Sequence, residues 1–184
     1  MTEHVVEDPV LRQRYVFGHA AEALEVAISV DPGGGVVPHL HPGFEERFEV
    51  LGGEVTFLVG RKRLRAVAGE TIVVAPGTRH SYANRSSRPA QMRCEVRPPR
   101  PELQGFLEDA AALARAGGYT RHALPRTPVG LLGLAVIARG YRDSTVILSP
   151  PVWLQRLLLD PLAGLGSRRG LRPGHFAGRL DGTA

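Results

Sequence analysis

The chain has 184 residues, and its sequence predicts a mainly β fold over residues 1–100 with an α-helical appendage over residues 101–184. Three observations carry this. Short apolar alternations fill the first hundred residues, broken by glycine or proline at spacings of about ten. The proline-rich segment RPPRPE, Arg97 to Glu102, then ends the alternation. Beyond it the apolar period lengthens from two to three and four residues.

The candidate strands are Arg14 to Gly18, Leu24 to Val30, Glu46 to Leu51, Glu54 to Val59, Arg63 to Val67, Thr71 to Val74, His80 to Asn84 and Ala90 to Val96. Strands so numerous and so short predict a closed barrel or a two-sheet sandwich. Pro98, Pro99 and Pro101 cannot donate to a sheet ladder, which puts the domain boundary there. Leu103, Phe106, Leu107, Ala110, Leu113 and Ala114 then form one apolar helical face, with Pro101 in the first turn and Gly117 and Gly118 as the stop. A second helix is expected from about Val129 to Tyr141. A third starts after Ser149, with Pro150 and Pro151 in its first turn and Pro161 kinking or ending it. From Ser167 onward, glycine and arginine predict a loosely ordered tail.

Composition excludes several classes of function. No uncharged run is long enough to span a membrane, and one of the longer ones, Thr127 to Ala138, is interrupted by Gly130 and Gly133. Acidic residues in MTEHVVEDPVLRQR stand where a secretory signal places basic and then apolar ones, so a cytoplasmic address is expected. Cys94 is the single cysteine, a buried thiol rather than half of a disulfide. The net charge of +5 comes from 23 basic and 18 acidic residues, and Lys62 is the only lysine. The arginines are scattered rather than gathered on one periodic face, so no nucleic-acid partner is expected. The cluster Arg61, Lys62, Arg63 and Arg65 follows Gly60 as a solvated hairpin turn.

The chemistry is concentrated in two stretches. In one, Gly33 precedes His39, His41, Glu46 and Gly53; in the other, Gly69 precedes Gly77, His80 and Asn84. His39 and His41 are two apart, so on an extended strand both imidazoles face one side. Pro42 and Gly43 supply a turn, and Glu46 opens a returning strand. Two imidazoles and a carboxylate converging inside a barrel suit a divalent metal, with a third imidazole, His80, on a later strand. Such a set leaves positions open for water or substrate, the character of a catalytic centre. Alternation turns Tyr82 and Asn84 inward with His80, Phe48 and Val50 inward with Glu46, and sets Met92 and Cys94 in the same interior. The resulting pocket is small and largely apolar, with the Tyr82 phenol near the metal, and fits a modest organic or aromatic substrate.

These two stretches resemble the two motifs of the cupin superfamily, over residues 33 to 84. The resemblance implies a jelly-roll (double-stranded β-helix) barrel, with His39, His41, Glu46 and His80 as metal ligands. Glu45 is the rival acidic residue, but the spacing to Gly53 favours Glu46. The usual Pro-x-Gly stands here as Pro76-Gly77, a variant of the same turn, and Asn84 is structural in such proteins. The ion implied is a divalent transition metal: Fe, Mn, Ni, Zn, Co or Cu.

By this resemblance the chain is a metal-dependent small-molecule enzyme, most similar to cupin dioxygenases with a three-histidine, one-glutamate centre; cupin isomerases, lyases and hydrolases use similar centres. The alternative is a non-catalytic ligand sensor. A DNA-binding regulator is disfavoured because about 15 residues precede the first expected strand, too few for a helix-turn-helix. A storage role gives the ligand set no purpose. Finally, Trp153, Leu154, Leu157, Leu158, Leu159 and Leu162 cannot all face one neighbour on one helix, which predicts a homodimer with Trp153 as an anchor.

Overall fold

The computed structural model describes residues 4–20, 22–174 and 176. Eleven strands and three helices follow one another along them: β1 His4–Asp8, β2 Gln13–His19, β3 Leu24–Val30, β4 His39–Leu40, β5 Glu45–Gly52, β6 Glu54–Val59, β7 Lys62–Val67, β8 Thr71–Val74, β9 His80–Ala83, β10 Ala90–Arg97, α1 Pro101–Arg115, α2 Pro128–Gly140, β11 Val146–Ile147 and α3 Val152–Arg168. Period-two burial builds the sheets. In β3, Leu24, Val26, Ile28 and Val30 are buried, and in β10 so are Ala90, Met92, Cys94 and Val96.

The strands form two antiparallel sheets, ordered β1-β2-β3-β10-β5-β8 and β11-β4-β9-β6-β7. Register aligns the inward residues into rows across the first sheet, such as Phe17, Val26, Cys94, Phe48 and Ile72 on β2, β3, β10, β5 and β8. Gly53 makes the β5–β6 turn at φ 74°, and a Cβ there would sit 2.7 Å from the Pro89 carbonyl oxygen, so both the turn and the approach call for glycine.

α1 packs against the β1 edge of the first sheet and against α2. α2 and α3 pair closely through small residues: a Cβ on Gly166 would lie 2.8 Å from Val136 Cγ2. Leu113, Val136, Ile137, Tyr141, Ala163 and Phe176 form a second core there. The Thr127 side chain caps α2 by accepting from Gly130 N at 2.9 Å.

Five features differ from expectation. β1 lies upstream of the first expected strand and pairs with β2. Two-residue strands β4 and β11 pair with one another, so a segment from the C-terminal half extends a barrel sheet. Pro150 and Pro151 precede α3 rather than forming its first turn, with Pro151 at the N-cap. α3 runs unbroken through Pro161. Proline there removes only the bond to the carbonyl of Leu157, a residue 65% exposed, while packing against α2 holds the rest. The expected tail is partly ordered by packing: Ser167 and Arg168 belong to α3, and Phe176 is buried in the second core. The end of that tail, 177–184, lies outside the described residues.

Candidate metal centre

The site is built from three strands and the turns between them. β4 is short but extended, so His39 and His41 point to one side, and His39 stands directly opposite His80 on β9. Gly77 N donates to the His41 carbonyl at 2.7 Å, tying the Pro76-Gly77 turn beneath the ligand strand. Glu46 is at an inward position of β5, between Val96 of β10 and Val74 of β8. Glu45 is only half-buried and is not part of the group.

His39, His41, Glu46 and His80 are all buried, and one potential ligand atom from each lies within 4.8 Å of the others. Glu46 Oε2 is 2.8 Å from His80 Nε2 and 3.2 Å from His41 Nε2. Each imidazole is oriented from behind by a backbone carbonyl. Nδ1 of His39 donates to Val37 O at 2.8 Å, Nδ1 of His80 to Thr78 O at 2.9 Å, and Nδ1 of His41 to Ser144 O at 2.9 Å. A neutral imidazole has one N–H, so these bonds leave each Nε2 as a bare lone pair facing the carboxylate. His41 Nε2, His80 Nε2 and Glu46 Oε2 are buried without a hydrogen-bond partner. With the three rings neutral, three inward lone pairs and a carboxylate fit a divalent cation, and carbonyls bonded behind the rings set their orientation in metal sites.

The electrostatics agree. Burial, then the neighbouring His80 and His41, push His39 down to about 3, so it stays neutral. Burial works to raise the Glu46 pKa, but the adjoining His41 and His80 rings outweigh it and hold the carboxyl below its usual range, so it presents an anionic oxygen. Burial likewise works to lower His80, and contact with Glu46 outweighs it, leaving a net upward shift.

A cavity of about 710 Å³ opens from His39, His41 and Glu46, running between the barrel and the helices. Phe48, Tyr82 and Cys94 line it, and so do Leu103 and Phe106 of α1 and Leu134 of α2. Phe48 and Tyr82 form its floor, edge-on to one another and tilted against Phe57 behind them, at centroid distances of 5.4 to 5.8 Å. Val50, Met92 and Asn84, expected beside the pocket, are buried but do not line it, because they lie one inward position deeper, beyond that floor. The Asn84 amide instead donates to Val30 O and Arg88 O, bracing a turn. The Tyr82 hydroxyl donates to Gln13 Oε1 at 2.6 Å, and burial raises its pKa well above the ordinary value. Burial also pushes the Cys94 thiol up.

Sequence reasoning missed the contribution of the C-terminal half. Ser144, on the loop after α2, orients His41 across 103 positions of sequence, and Thr145 Oγ1 stands 3.4 Å from the same nitrogen. No motif marks either residue. Pairing of the following β11 with β4 is what delivers them.

Comparison with known proteins bears on the barrel. The family described as "Cupin domain" matches residues 26–95. No curated protein matches the chain in sequence. Among solved structures, KdgF from Halomonas sp. is similar at 18% identity and a TM-score of 0.50, covering 54% of this chain and 91% of that one. An uncharacterised protein with a double-stranded β-helix domain from Klebsiella pneumoniae is similar at 21% identity and a TM-score of 0.46, covering 50% of this chain and 83% of that one. Pac13 of Streptomyces, a nucleoside dehydratase, is similar at 19% identity and a TM-score of 0.47, covering 55% of this chain and 80% of that one. The segment that carries His39, His41, Glu46 and His80 is a cupin domain by its match over residues 26–95.

Proposed function

We propose that the protein is a metal-dependent enzyme acting on a small organic substrate, with His39, His41, Glu46 and His80 as the ligands of one divalent transition ion. One observation carries this reading: buried, partnerless Nε2 and carboxylate atoms converge at the inner end of a cavity large enough for a substrate. An ion held there supplies Lewis acidity at its open positions and, in the dioxygenase-like form of the proposal, a place for substrate and dioxygen together. The chain's own part is to hold three neutral imidazoles and a carboxylate at fixed orientation through Val37, Thr78 and Ser144. It also shields them from water with Phe44, stacked on His41 at 4.3 Å. Tyr82 is assigned to substrate positioning at the cavity wall, its proton retained by burial and by Gln13.

The second reading is ligand binding without turnover. It is favoured by the state of two polar side chains in the barrel part of the cavity: Asp8 accepts from Val10 N, Leu11 N and Tyr119 Oη, and Tyr82 is bonded to Gln13. Neither stands ready as a proton acceptor. Both readings include a homodimer formed through the apolar face of α3, where Trp153, Leu157, Leu158 and Leu165 are exposed. They also keep the cytoplasmic address expected for a chain whose single thiol is buried and unpaired.

Elemental analysis of untagged protein tests the metal assignment. Close to one divalent transition ion per chain is expected, and stoichiometric metal in a His39→Ala, His41→Ala, His80→Ala triple variant refutes it. Oxygen uptake screened with aromatic diols and diketones then separates turnover from binding alone.

A further inference from the structure

The chain contains four tyrosines, and three have hydrogen-bond partners: Tyr82 with Gln13, Tyr119 with Asp8 and Tyr141 with Asp109. Tyr15 does not. Its side chain is 2% exposed and lines the cavity, yet its hydroxyl is buried with no partner among the described residues. Leaving a buried hydroxyl unpaired costs ~1–3 kcal/mol, a cost that a bound acceptor removes. Two residues along the same inward face of β2, Gln13 repeats the pattern: its Oε1 accepts from Tyr82, and its Nε2 is buried and unpaired. Tyr15 is thus an unpaired polar group in a wall it shares with Val26 and Ile28, with Gln13 behind it on the same strand.

We propose that Tyr15 is a substrate-recognition residue, and that its hydroxyl donates to a neutral oxygen acceptor, such as a carbonyl, on a compact and largely apolar ligand. This deepens the reading of the cavity as a substrate site and rests on it. At Tyr15 the local charge is that of Asp8, which selects a neutral acceptor over an anion there, while Arg121, Arg139, Arg142 and Arg156 line other parts of the cavity. Burial and that charge keep the phenol protonated, so it is available as a donor.

The test uses two probes of nearly equal shape, acetophenone with a carbonyl and cumene without one, titrated into chelator-treated protein and followed by ligand-observed NMR. Wild type binds acetophenone more tightly than cumene, and Tyr15→Phe weakens acetophenone about fivefold while leaving cumene unchanged, the size of one net hydrogen bond. Tyr15→Phe also melts at or above the wild-type temperature, since it removes an unpaired buried hydroxyl. The proposal is overturned if the two probes respond alike, if acetophenone does not bind, or if Tyr15→Phe melts well below wild type, which would reveal a structural partner. Elemental analysis run in parallel keeps the two readings apart: absence of metal from both proteins refutes the metal centre alone, whereas equal probe affinities refute the role of Tyr15 alone.

Discussion

Replacing Asp109 by alanine strikes the helical half where its three parts meet. Asp109 lies on α1, is fully buried, and accepts from Tyr141 Oη at 2.9 Å, Gly174 N at 2.7 Å and Phe176 N at 3.2 Å. It therefore joins α1 to the end of α2 and to the segment that follows α3. In Asp109→Ala the Tyr141 hydroxyl and the Phe176 amide, both in buried residues, lose their partner outright at ~1–3 kcal/mol each. The exposed Gly174 finds water instead. Relief from burying a carboxylate offsets part of the loss, so the net destabilisation is about 3 kcal/mol. For a chain of this size that lowers Tm by about 6–12 °C.

The pH dependence supplies a second arm. Burial raises the Asp109 pKa, against opposing hydrogen bonds from Gly174, Tyr141 and Phe176. The folded state thus keeps this proton to higher pH than the unfolded chain does. The stability linked to it is fully present below the unfolded pKa and is lost as pH rises through the folded one. Asp109→Asn has no charge to titrate and flattens this part of the profile. Asp8, also raised by burial, contributes the same sign in both proteins and cancels in the difference. Urea and thermal unfolding followed by circular dichroism across pH 4–8 measure both effects. A loss below ~1 kcal/mol for Asp109→Ala, or an unchanged pH slope for Asp109→Asn, would refute the reasoning.

Glu46→Gln removes most of the bound metal while Glu45→Gln leaves it; the reverse order in elemental analysis shows the wrong carboxylate was assigned. Trp153→Glu combined with Leu157→Glu converts the proposed dimer to a monomer in light scattering, and wild type that is already monomeric at micromolar concentration ends that proposal. Gly130→Ala places a Cβ 2.0 Å from the Gly118 carbonyl oxygen, forcing α2 to shift, and costs about 2 kcal/mol or more in urea unfolding. An unchanged midpoint there means the α2 N-terminus yields more easily than its packing implies.

What the sequence disclosed was whatever depends on local period. Alternation along Glu46, Phe48 and Val50, or along Ala90, Met92, Cys94 and Val96, repeats every two residues, and burial in β5 and β10 follows it. The three helices were legible from their spacing and prolines. Two-residue strands carry no period, so β4 was legible only through the His39 and His41 spacing, β11 left no trace, and their pairing is a tertiary event. Pro161 misled because propensity assigns it a cost without knowing that packing against α2 holds the helix. Asp109 and Tyr15 were invisible for a related reason: whether a polar group is satisfied depends on atoms remote in sequence, Gly174 and Phe176 for one and none for the other.

The bond from His41 to the Ser144 carbonyl closes a loop of 103 residues and so has a temporal meaning as well as a geometric one. Synthesis runs from the N-terminus, and His39, His41, Glu46 and His80 emerge from the ribosome well before Ser144 does. A nascent barrel can bring the four side chains near one another while the ring of His41 still lacks the acceptor that aims its Nε2 inward. Orientation of the four side chains is therefore tied to arrival of the helical half, and under the proposed metal assignment an ion captured earlier would meet an incompletely oriented set of donors. A chain stalled before β11 has the whole ligand motif and lacks the finished site.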